Sequence, residues 1–373
     1  MKIYYLVTSL EGGGAEFLIP VICEFFIQQG HDVEVLACLP KDMTTAELLE
    51  KRNIPYRILS QNGSNRFSST YNLLKIIRKS PPDLIWTSLL RGAMDGQIAG
   101  TLANIPVVSM KHSAFVRPYK KRAVQWLQRL SQLWIADSLG VEQFLETGMK
   151  VSKDRIMTWS MFQIPDNVPT SSPWDGQGIF HIGSVGRLHP VKNYDVLIRA
   201  IDYINRKYPD IGKRVKLSIA GNGIEEQNLK ELITNLNIPN VELLGFRKNV
   251  MAFLKTLHLY TQPSHYEGLC IATHEAMSVG LPIICSKVGE LQYCVENQQA
   301  GVVLPNVTPE ILGETFVGLF HHPEKAAQYG YNAKTYIQTH YTRQAFEVQG
   351  KAILDRIEKE IRPKFKKRHW FFR

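Results

Sequence analysis

The 373-residue sequence contains only five cysteines, no long hydrophobic run and no repeated segment. The cysteines, at positions 23, 38, 270, 285 and 294, include no C-x-x-C pair, which argues against a disulfide framework or structural zinc and favours a reducing compartment. The apolar stretches Met1–Leu10 and Phe17–Ile27 are too short to span a membrane. Glu11 and glycines follow the first stretch, where a signal peptide would have a small-residue cleavage site. We therefore expect a cytoplasmic protein that does not cross the membrane.

Acidic residues are fewer than basic ones, 34 against 44, which gives a formal net charge of +10. The excess is concentrated in residues 362–373, which contain six cations, four aromatic residues and no acid. These residues are Arg362, Lys364, Phe365, Lys366, Lys367, Arg368, Trp370, Phe371, Phe372 and Arg373. Cations beside aromatics suit an anionic lipid surface. Nucleic acid is a rival partner, although no nucleic-acid motif occurs, and a solvated disordered tail is the third interpretation.

The length, with 44% hydrophobic and 21% charged residues, fits about two globular domains. Short apolar runs alternate with helical patterns, which predicts parallel sheets built from βαβ units. We predict an N-terminal domain over residues 1–163, a linker over 164–178, a second domain over 179–340, and a C-terminal helix with a basic aromatic tail over 341–373. From residue 308 to about 360 the pattern is only helical. Ligand sites lie beyond the carboxyl ends of such strands, so two facing domains would form one cleft.

Glycine-rich turns follow several predicted strands. The segment Glu11–Glu16 (EGGGAE) follows the first strand and would let an anion approach backbone N–H groups, although a plain tight turn is about as good an explanation. In the second domain, GSVGRLHPVKN places Arg187 and Lys192 around a similar turn, where both could reach one diphosphate. Asn193 would cap the following helix. AGNG and LGFR place further glycines at the ends of the next two strands.

Two acids stand eight positions apart in PSHYEGLCIATHEAMSVGLPIICSKVGE, residues 263–290. We predict a helix that begins near Cys270 and carries Glu275, with Glu267 on the loop before it. These carboxylates could accept hydrogen bonds from sugar and ribose hydroxyls while backbone N–H groups face phosphate. The spacing alone does not exclude the carboxylate pair of a glycosidase, but a hydrolase of neutral sugars would not need diphosphate-binding cations.

The combined set GGGAE, VGRLHPVKN, AGNG, LLGF and EGLCIATHEAMSVGLPI resembles the retaining nucleotide-sugar glycosyltransferases of family 4. The resemblance implies an α/β GT-B fold, with two facing, doubly wound Rossmann-like domains and a C-terminal helical segment. It implies that Arg187 and Lys192 bind the donor diphosphate, that Glu275 binds ribose and Glu267 the transferred sugar, and that His112 is the active-site histidine. The full implied donor site comprises Gly13, Gly14, Arg187, Lys192, Gly221, Gly223, Phe246, Glu267, Gly268, Leu269, Cys270 and Glu275.

The sequence departs from the family pattern at three positions, which bears on donor identity. Glu290 and Tyr293 follow the E-x7-E helix where the family often has a glycine and a glutamate, and Cys270 stands where glycine is usual. No D-x-D occurs, so we expect cations instead of a metal at the diphosphate, and no cofactor besides the nucleotide sugar, a UDP- or GDP-sugar.

The acceptor is expected to be a glycan, lipid-linked or a lipopolysaccharide or capsule precursor, at the cytoplasmic membrane face. We expect Glu16 and Lys111 to contact it. A predicted helix over 117–133, with Lys120, Lys121, Arg122 and Arg129 beside Trp126, would face the membrane, although its charges could simply be a solvated face. A glycosyltransferase with a soluble acceptor, or a non-catalytic nucleotide or nucleic-acid binder, are the alternatives.

Overall fold

The computed structural model describes residues 1–13, 16–60, 68–117, 119, 121–164 and 167–366, with Lys366 described by its backbone alone. The chain forms two compact units. The first holds Met1–Met161 together with the chain from Gln344 onward, and the second holds Phe162–Arg343. None of the helices in these described ranges combines the length and the apolar character that a membrane span needs.

A seven-stranded parallel sheet forms the first unit, in the order β3-β2-β1-β4-β5-β6-β7. Its strands are β1 (Lys2–Ser9), β2 (Asp32–Leu39), β3 (Tyr56–Ile58), β4 (Leu84–Ser88), β5 (Val107–Lys111), β6 (Leu133–Ala136) and β7 (Ile156–Thr158). Its helices are α1 (Ile19–Gln28), α2 (Thr44–Glu50), α3 (Ser68–Lys79), α4 (Leu90–Ala103), α5 (Lys121–Leu127) and α6 (Leu139–Thr147). All five residues of β4 are buried, as expected of a central parallel strand covered on both faces.

The second unit contains a six-stranded parallel sheet in the order β10-β9-β8-β11-β12-β13. Its strands are β8 (Phe180–Val185), β9 (Val215–Ala220), β10 (Val241–Gly245), β11 (Leu259–Gln262), β12 (Ile283–Ser286) and β13 (Gly301–Leu304). Its helices are α7 (Tyr194–Lys207), α8 (Pro209–Gly212), α9 (Glu226–Leu236), α10 (Val250–Leu254), α11 (Ile271–Ser278), α12 (Pro309–His321) and α13 (Pro323–His340). One face of α7 supplies Leu197, Ile201 and Ile204 to the core.

The chain then returns to the first unit through α14 (Arg343–Arg356), a π-helical turn over Ile357–Ile361 and α15 (Arg362–Lys366). Phe346 of α14 packs in an aromatic cluster with Phe25 and Trp159, at ring-centroid distances of 5.6 and 4.9 Å. The helical pattern predicted after residue 308 is therefore confirmed. Residues 367–373 of the predicted basic aromatic tail lie outside the described residues, as does Lys120.

Two local predictions were wrong. The helix predicted over 117–133 spans only Lys121–Leu127, continued by a 3-10 turn at Gln128–Leu130, because Ser131 takes an extended conformation and Leu133 opens β6. Asn193 does not cap α7. Its backbone is left-handed, and its side-chain amide donates to the carbonyl of Pro263 (3.2 Å), which ties the start of α7 to the end of β11.

Candidate functional site

In the second unit, the predicted donor residues gather at the carboxyl edge of the sheet, where the strand order reverses. β8 and β11 are neighbours in the sheet, and the connections that leave them run in opposite directions across it. Crevices at such a point are the usual ligand sites of doubly wound sheets. The turn after β8 carries Arg187 and Lys192, and the loop after β11 carries Glu267.

Lys192 and Glu267 form a partly buried ion pair. The Lys192 Nζ lies 2.7 Å from Glu267 Oε1, and their side chains are only 18% and 10% exposed. Burial lowers the pKa of Lys192, but the nearby Cys270 and Glu267 side chains and the hydrogen bond to Glu267 raise it by more, so the net shift is upward. The ammonium therefore stays charged. Ser264 Oγ donates to the same Glu267 oxygen (2.6 Å) and holds this carboxylate in place.

Unpaired backbone donors lie beside this pair. In the described part of the chain, no acceptor is paired with the N–H groups of Gly268, Leu269 or Cys270, which lead into the N-terminus of α11. The side chains of Leu269 and Cys270 are buried, so these residues present their backbone. Burial, and secondarily Glu267, raise the pKa of Cys270 to about 12, so its side chain remains a thiol. Consecutive free N–H groups at a helix N-terminus favour an anion.

The segment after β12 packs against the loop that carries Glu267. The N–H of Glu290 donates to the carbonyl of Gly268 (3.0 Å). A Cβ at Gly289 would lie 2.4 Å from the carbonyl oxygen of Glu267, so only glycine fits there without moving the loop. Glu290 itself is 1% exposed. The residue that departs from the family pattern therefore lies buried behind the loop.

Glu275 lies on α11, as predicted, and is partly buried. Its carboxylate makes no hydrogen bond or ion pair with any residue that the structure describes. Burial raises its pKa to about 7. A carboxylate in this condition can accept hydrogen bonds from ligand hydroxyls, which would stabilise its charged form.

Arg187 lies apart from the ion pair, in a neighbouring cavity of about 200 Å³. This cavity is lined by the turns after β8, β9 and β10, including Gly186, Gly221 and the exposed ring of Phe246. Gly221 has φ of +151°, and a Cβ there would lie 1.9 Å from the carbonyl oxygen of Gly186. The turns after β8 and β9 are thus in direct backbone contact, with Gly223 following in the second turn.

In the first unit, His112 lies at the carboxyl end of β5 within a polar chain. Its Nδ1 lies 3.2 Å from Asp137 Oδ2, and its Nε2 lies 3.3 Å from the Ser88 hydroxyl. The hydroxyls of Tyr5 and Ser88 are 2.8 Å apart. A neutral imidazole with its proton on Nδ1 would donate to Asp137 and present Nε2 as an acceptor. The sequence prediction missed both Ser88, which ends β4, and Asp137, which follows β6.

A cavity of about 420 Å³ adjoins His112 and Lys111. Its walls are mostly apolar, with Leu90, Phe115 and Trp134 among them, and the described residues of its lining include Arg117 but no acid. Lys111 donates to Ser113 Oγ (2.6 Å) and to the carbonyl of Phe115 (3.1 Å). Burial lowers the pKa of Lys111 to about 8, against the opposing effect of Asp137.

The glycine turn after β1 is described up to Gly13, while Gly14 lies outside the described residues. A Cβ at Gly13 would lie 2.3 Å from the Glu16 carboxylate. The predicted residues Gly13 and Glu16 are therefore in contact. No group of three or more His, Cys, Asp and Glu residues within the described ranges is arranged to hold a metal ion.

Two family profiles match successive parts of the chain: Glycosyltransferase Family 4 over residues 12–161 and Glycosyl transferases group 1 over residues 177–336. The chain belongs to the group 1 glycosyl transferases. One curated relative is the UDP-Gal:alpha-D-GlcNAc-diphosphoundecaprenol alpha-1,3-galactosyltransferase of Escherichia coli. The two sequences are 28% identical over 63% of this chain and 66% of the relative. An uncharacterised glycosyltransferase of Methanocaldococcus jannaschii is 27% identical over 62% of the chain and spans 60% of that relative.

Solved structures resemble this glycosyltransferase over nearly its whole length. Anabaena HepE in complex with UDP has a TM-score of 0.80 at 22% identity, covering 95% of this chain and all of HepE. The lipopolysaccharide outer core galactosyltransferase WaaB has a TM-score of 0.76 at 17% identity, covering 95% of this chain and all of WaaB. The predicted GT-B fold class, with two Rossmann-like parallel-sheet domains, is confirmed.

Proposed function

We propose that this protein transfers a hexose from a UDP-sugar, with retention of anomeric configuration and without a metal, to a lipid-linked oligosaccharide or to a lipopolysaccharide or capsule precursor at the cytoplasmic membrane face. The observation that carries the proposal is the partly buried Lys192–Glu267 pair beside the unpaired N–H groups that precede α11. A fixed cation and free donors at one edge suit a leaving diphosphate.

Each donor group has a part of the nucleotide sugar assigned to it. The diphosphate binds the N–H groups of residues 268–270 and Lys192, with Arg187 reaching it from the adjacent turn. The base occupies the cavity of about 200 Å³ against Phe246. Glu275 accepts the ribose hydroxyls, and Glu267 accepts hydroxyls of the transferred sugar. UDP is favoured over GDP because HepE binds UDP in its crystal structure and the Escherichia coli relative is named for UDP-Gal.

Charge development explains why these groups would accelerate transfer. When the bond to the diphosphate breaks, negative charge grows on the leaving group and positive charge on the sugar ring. Preorganised donors and cations then stabilise the transition state more than the ground state. His112, oriented by Asp137, is assigned to a hydroxyl of the transferred sugar through its Nε2.

The acceptor is assigned to the cavity of about 420 Å³ in the first unit. Apolar walls with Lys111 and Arg117 and no acid suit a ligand that is both apolar and anionic. The names of the Escherichia coli relative and of WaaB fit such an acceptor, since one specifies a diphosphoundecaprenol substrate and the other lipopolysaccharide. Exposed Arg122, Trp126 and Arg129, spaced along one helical face, support a location at a membrane surface.

A nucleotide-binding experiment tests the donor site. UDP should raise the melting temperature of the full chain, because a ligand that binds only the folded state stabilises it, and GDP should do so less. Lys192→Ala should weaken UDP binding at least about tenfold and lower turnover roughly a hundredfold, the scale of losing one preorganised charge contact.

Lys255→Ala is the matched control, because Lys255 is exposed and lies outside the site. Arg187→Ala should also lower turnover about a hundredfold. Stabilisation by neither nucleotide, or wild-type turnover in the Lys192→Ala variant, would contradict the proposal.

A further inference from the structure

A second polar cavity, of about 380 Å³, lies in the first unit at the amino-terminal edge of its sheet. Ser131 and Gln132 directly precede β6, and Arg155 directly precedes β7, and all three line this cavity. His112 follows β5 at the opposite edge, because the strands are parallel. Four-residue β6 alone separates the two edges by roughly 10 Å. The cavity is therefore distinct from the edge that carries the proposed acceptor site.

Cations dominate the lining. Arg129, Arg155, Arg356 and Lys364 contribute four positive charges, against Asp154 and Glu360. Arg356 donates to Glu360 Oε2 (3.3 Å) and to the carbonyl of Asp154. Among the described residues, no carboxylate lies within 4.0 Å of a cationic nitrogen of Arg129, Arg155 or Lys364. The cavity therefore has an excess of unneutralised positive charge.

The side chain of Arg155, which lines this cavity, is held by two backbone carbonyls. It is partly buried, and one of its guanidinium nitrogens donates to the carbonyls of Gln128 (2.7 Å) and Ser131. Burial lowers the pKa of Arg155, and although Asp154 opposes this effect, the charge of Arg129 lowers the pKa further. Arg129 and Arg155 therefore repel each other. A bound anion would relieve that repulsion.

The lining comes from two distant parts of the sequence. Arg129 lies in the 3-10 turn that continues α5, the helix that exposes Arg122 and Trp126. Arg356 and Lys364 come from the C-terminal helices. A guanidinium fork and a mobile ammonium together can contact several oxygens of one phosphate group. The sequence continues after Lys364 with further cations, Lys366, Lys367 and Arg368.

We propose that this cavity binds a phosphate group, through Arg129, Arg155, Arg356 and Lys364, at a site separate from both substrates. The phosphate can belong to an anionic lipid headgroup or be free in solution, and the chemistry of recognition is the same. The site does not depend on the proposed transfer reaction, because binding can be measured without a nucleotide sugar or an acceptor.

The test compares two double variants of the full chain. Arg129→Glu with Lys364→Glu reverses the two cations of the cavity that carry no ion pair and are most exposed. Lys51→Glu with Lys79→Glu makes the same charge change on exposed residues of the same unit that do not line the cavity. Both are measured for co-sedimentation with phosphatidylcholine vesicles, with and without phosphatidylglycerol, and for thermal stabilisation by inorganic phosphate at constant ionic strength.

We expect the wild type and the Lys51/Lys79 variant to bind, and the Arg129/Lys364 variant to bind at least about tenfold more weakly. Dependence on phosphatidylglycerol alone identifies a lipid headgroup, whereas stabilisation by inorganic phosphate alone identifies a soluble phosphate. Equal loss in both variants would show a general charge effect and overturn the proposal, as would the absence of binding to either probe. A wild-type circular-dichroism spectrum and melting temperature without ligand serve as the check that each variant is folded, since the substituted residues all belong to the first unit.

Discussion

Glu275 is a partly buried carboxyl whose charged form is disfavoured by burial, which raises its pKa to about 7. In the unfolded chain, this carboxyl titrates near its ordinary value of about 4.3. Between these two pKa values the folded state binds more protons than the unfolded state. The free energy of unfolding should therefore decrease as the pH rises through this window, and the loss should persist above pH 7.

Glu275→Gln should remove this dependence. We expect the variant to be more stable than the wild type at pH 8 and similar to it at pH 5, because an amide carries no charge to bury. We also expect it to bind UDP at least about tenfold more weakly, since a carboxylate accepts hydroxyl hydrogen bonds more strongly than an amide. Urea unfolding at both pH values and a UDP titration measure these effects. Glu231→Gln, on an exposed position of α9, should change neither, and a destabilised Glu275→Gln variant at pH 8 would contradict the argument.

Lys111 is the corresponding partly buried cation, with its pKa lowered to about 8. If its ammonium binds an anionic acceptor, kcat/KM for the acceptor should fall as the pH rises above 8 in the wild type. Lys111→Met should have a low kcat/KM that does not change over this range. The free energy of unfolding should rise from pH 8 to about 10.4 in the wild type but not in Lys111→Met, because over that window the unfolded wild-type chain holds the extra proton. A Lys51→Met control should keep the wild-type profile, and an unaltered profile in Lys111→Met would remove Lys111 from acceptor binding.

The sequence motifs identified the candidate reactive side chains but not the residues that hydrogen-bond to them. Lys192 and Glu267 were predicted to serve one donor, and they are in contact. Ser264, which donates to Glu267, and Asp137, which contacts His112, were missed. A serine or aspartate after a strand is common, and only the folded edge shows that its side chain points at a catalytic candidate. The assignment of Arg187 and Glu275 to the same ligand remains a prediction.

At the scale of elements, the carboxyl edge of the second sheet depends on turns that touch through their backbones. Gly221→Ala would place a methyl group 1.9 Å from the carbonyl oxygen of Gly186, in a backbone conformation that L side chains rarely adopt. We expect a destabilisation of about 1–3 kcal/mol for the strained backbone and the loss of measurable UDP stabilisation, because the cavity beside Arg187 is lined by both turns.

Differential scanning fluorimetry with and without UDP measures both effects of Gly221→Ala. Gly318→Ala is the control, since a Cβ at Gly318 meets no atom within 4 Å and this residue lies within helix α12. A Gly221→Ala variant that responds to UDP like the wild type would show that the contact between the turns does not shape the nucleotide site.

The approximate positions of the strands could be predicted from the sequence because apolar runs indicate buried strands and glycines indicate the turns that follow them. The alternation of apolar runs with helical patterns predicted parallel sheets, and a seven-stranded and a six-stranded sheet are found. Helix α5 could not be bounded in the same way, since charges and apolar residues continue through the 3-10 turn that ends it. The role of Asn193 was also beyond local reasoning, because its partner, Pro263, is seventy positions away.

At the scale of the whole molecule, the chain leaves the first unit after Met161 and returns to it from Gln344. The sequence predicted helices here but not which unit they complete. Gly350 of α14 leaves room for Phe25 and Trp159, since a Cβ would lie 2.5 and 2.7 Å from their rings. Trp159 Nε1 donates to the carbonyl of Phe346 (3.0 Å). The returning helix is therefore part of the core of the first unit.

Phe346→Ala tests this role of the returning helix. Phe346 is 5% exposed and stacks on Trp159, so its truncation should lower the free energy of unfolding by roughly 3–5 kcal/mol, the usual cost of removing a buried phenyl ring. Val348→Ala is the matched control on the same helix, because Val348 is 60% exposed and its loss should cost no more than about 0.5 kcal/mol. Urea unfolding followed by tryptophan fluorescence measures both.

UDP affinity below the unfolding transition should be the same in both variants, because the proposed nucleotide site belongs to the second unit. Equal stability of the two variants would mean that α14 is dispensable for the core of the first unit, whereas a selective loss of UDP affinity in Phe346→Ala would mean that the ring acts on the donor site as well.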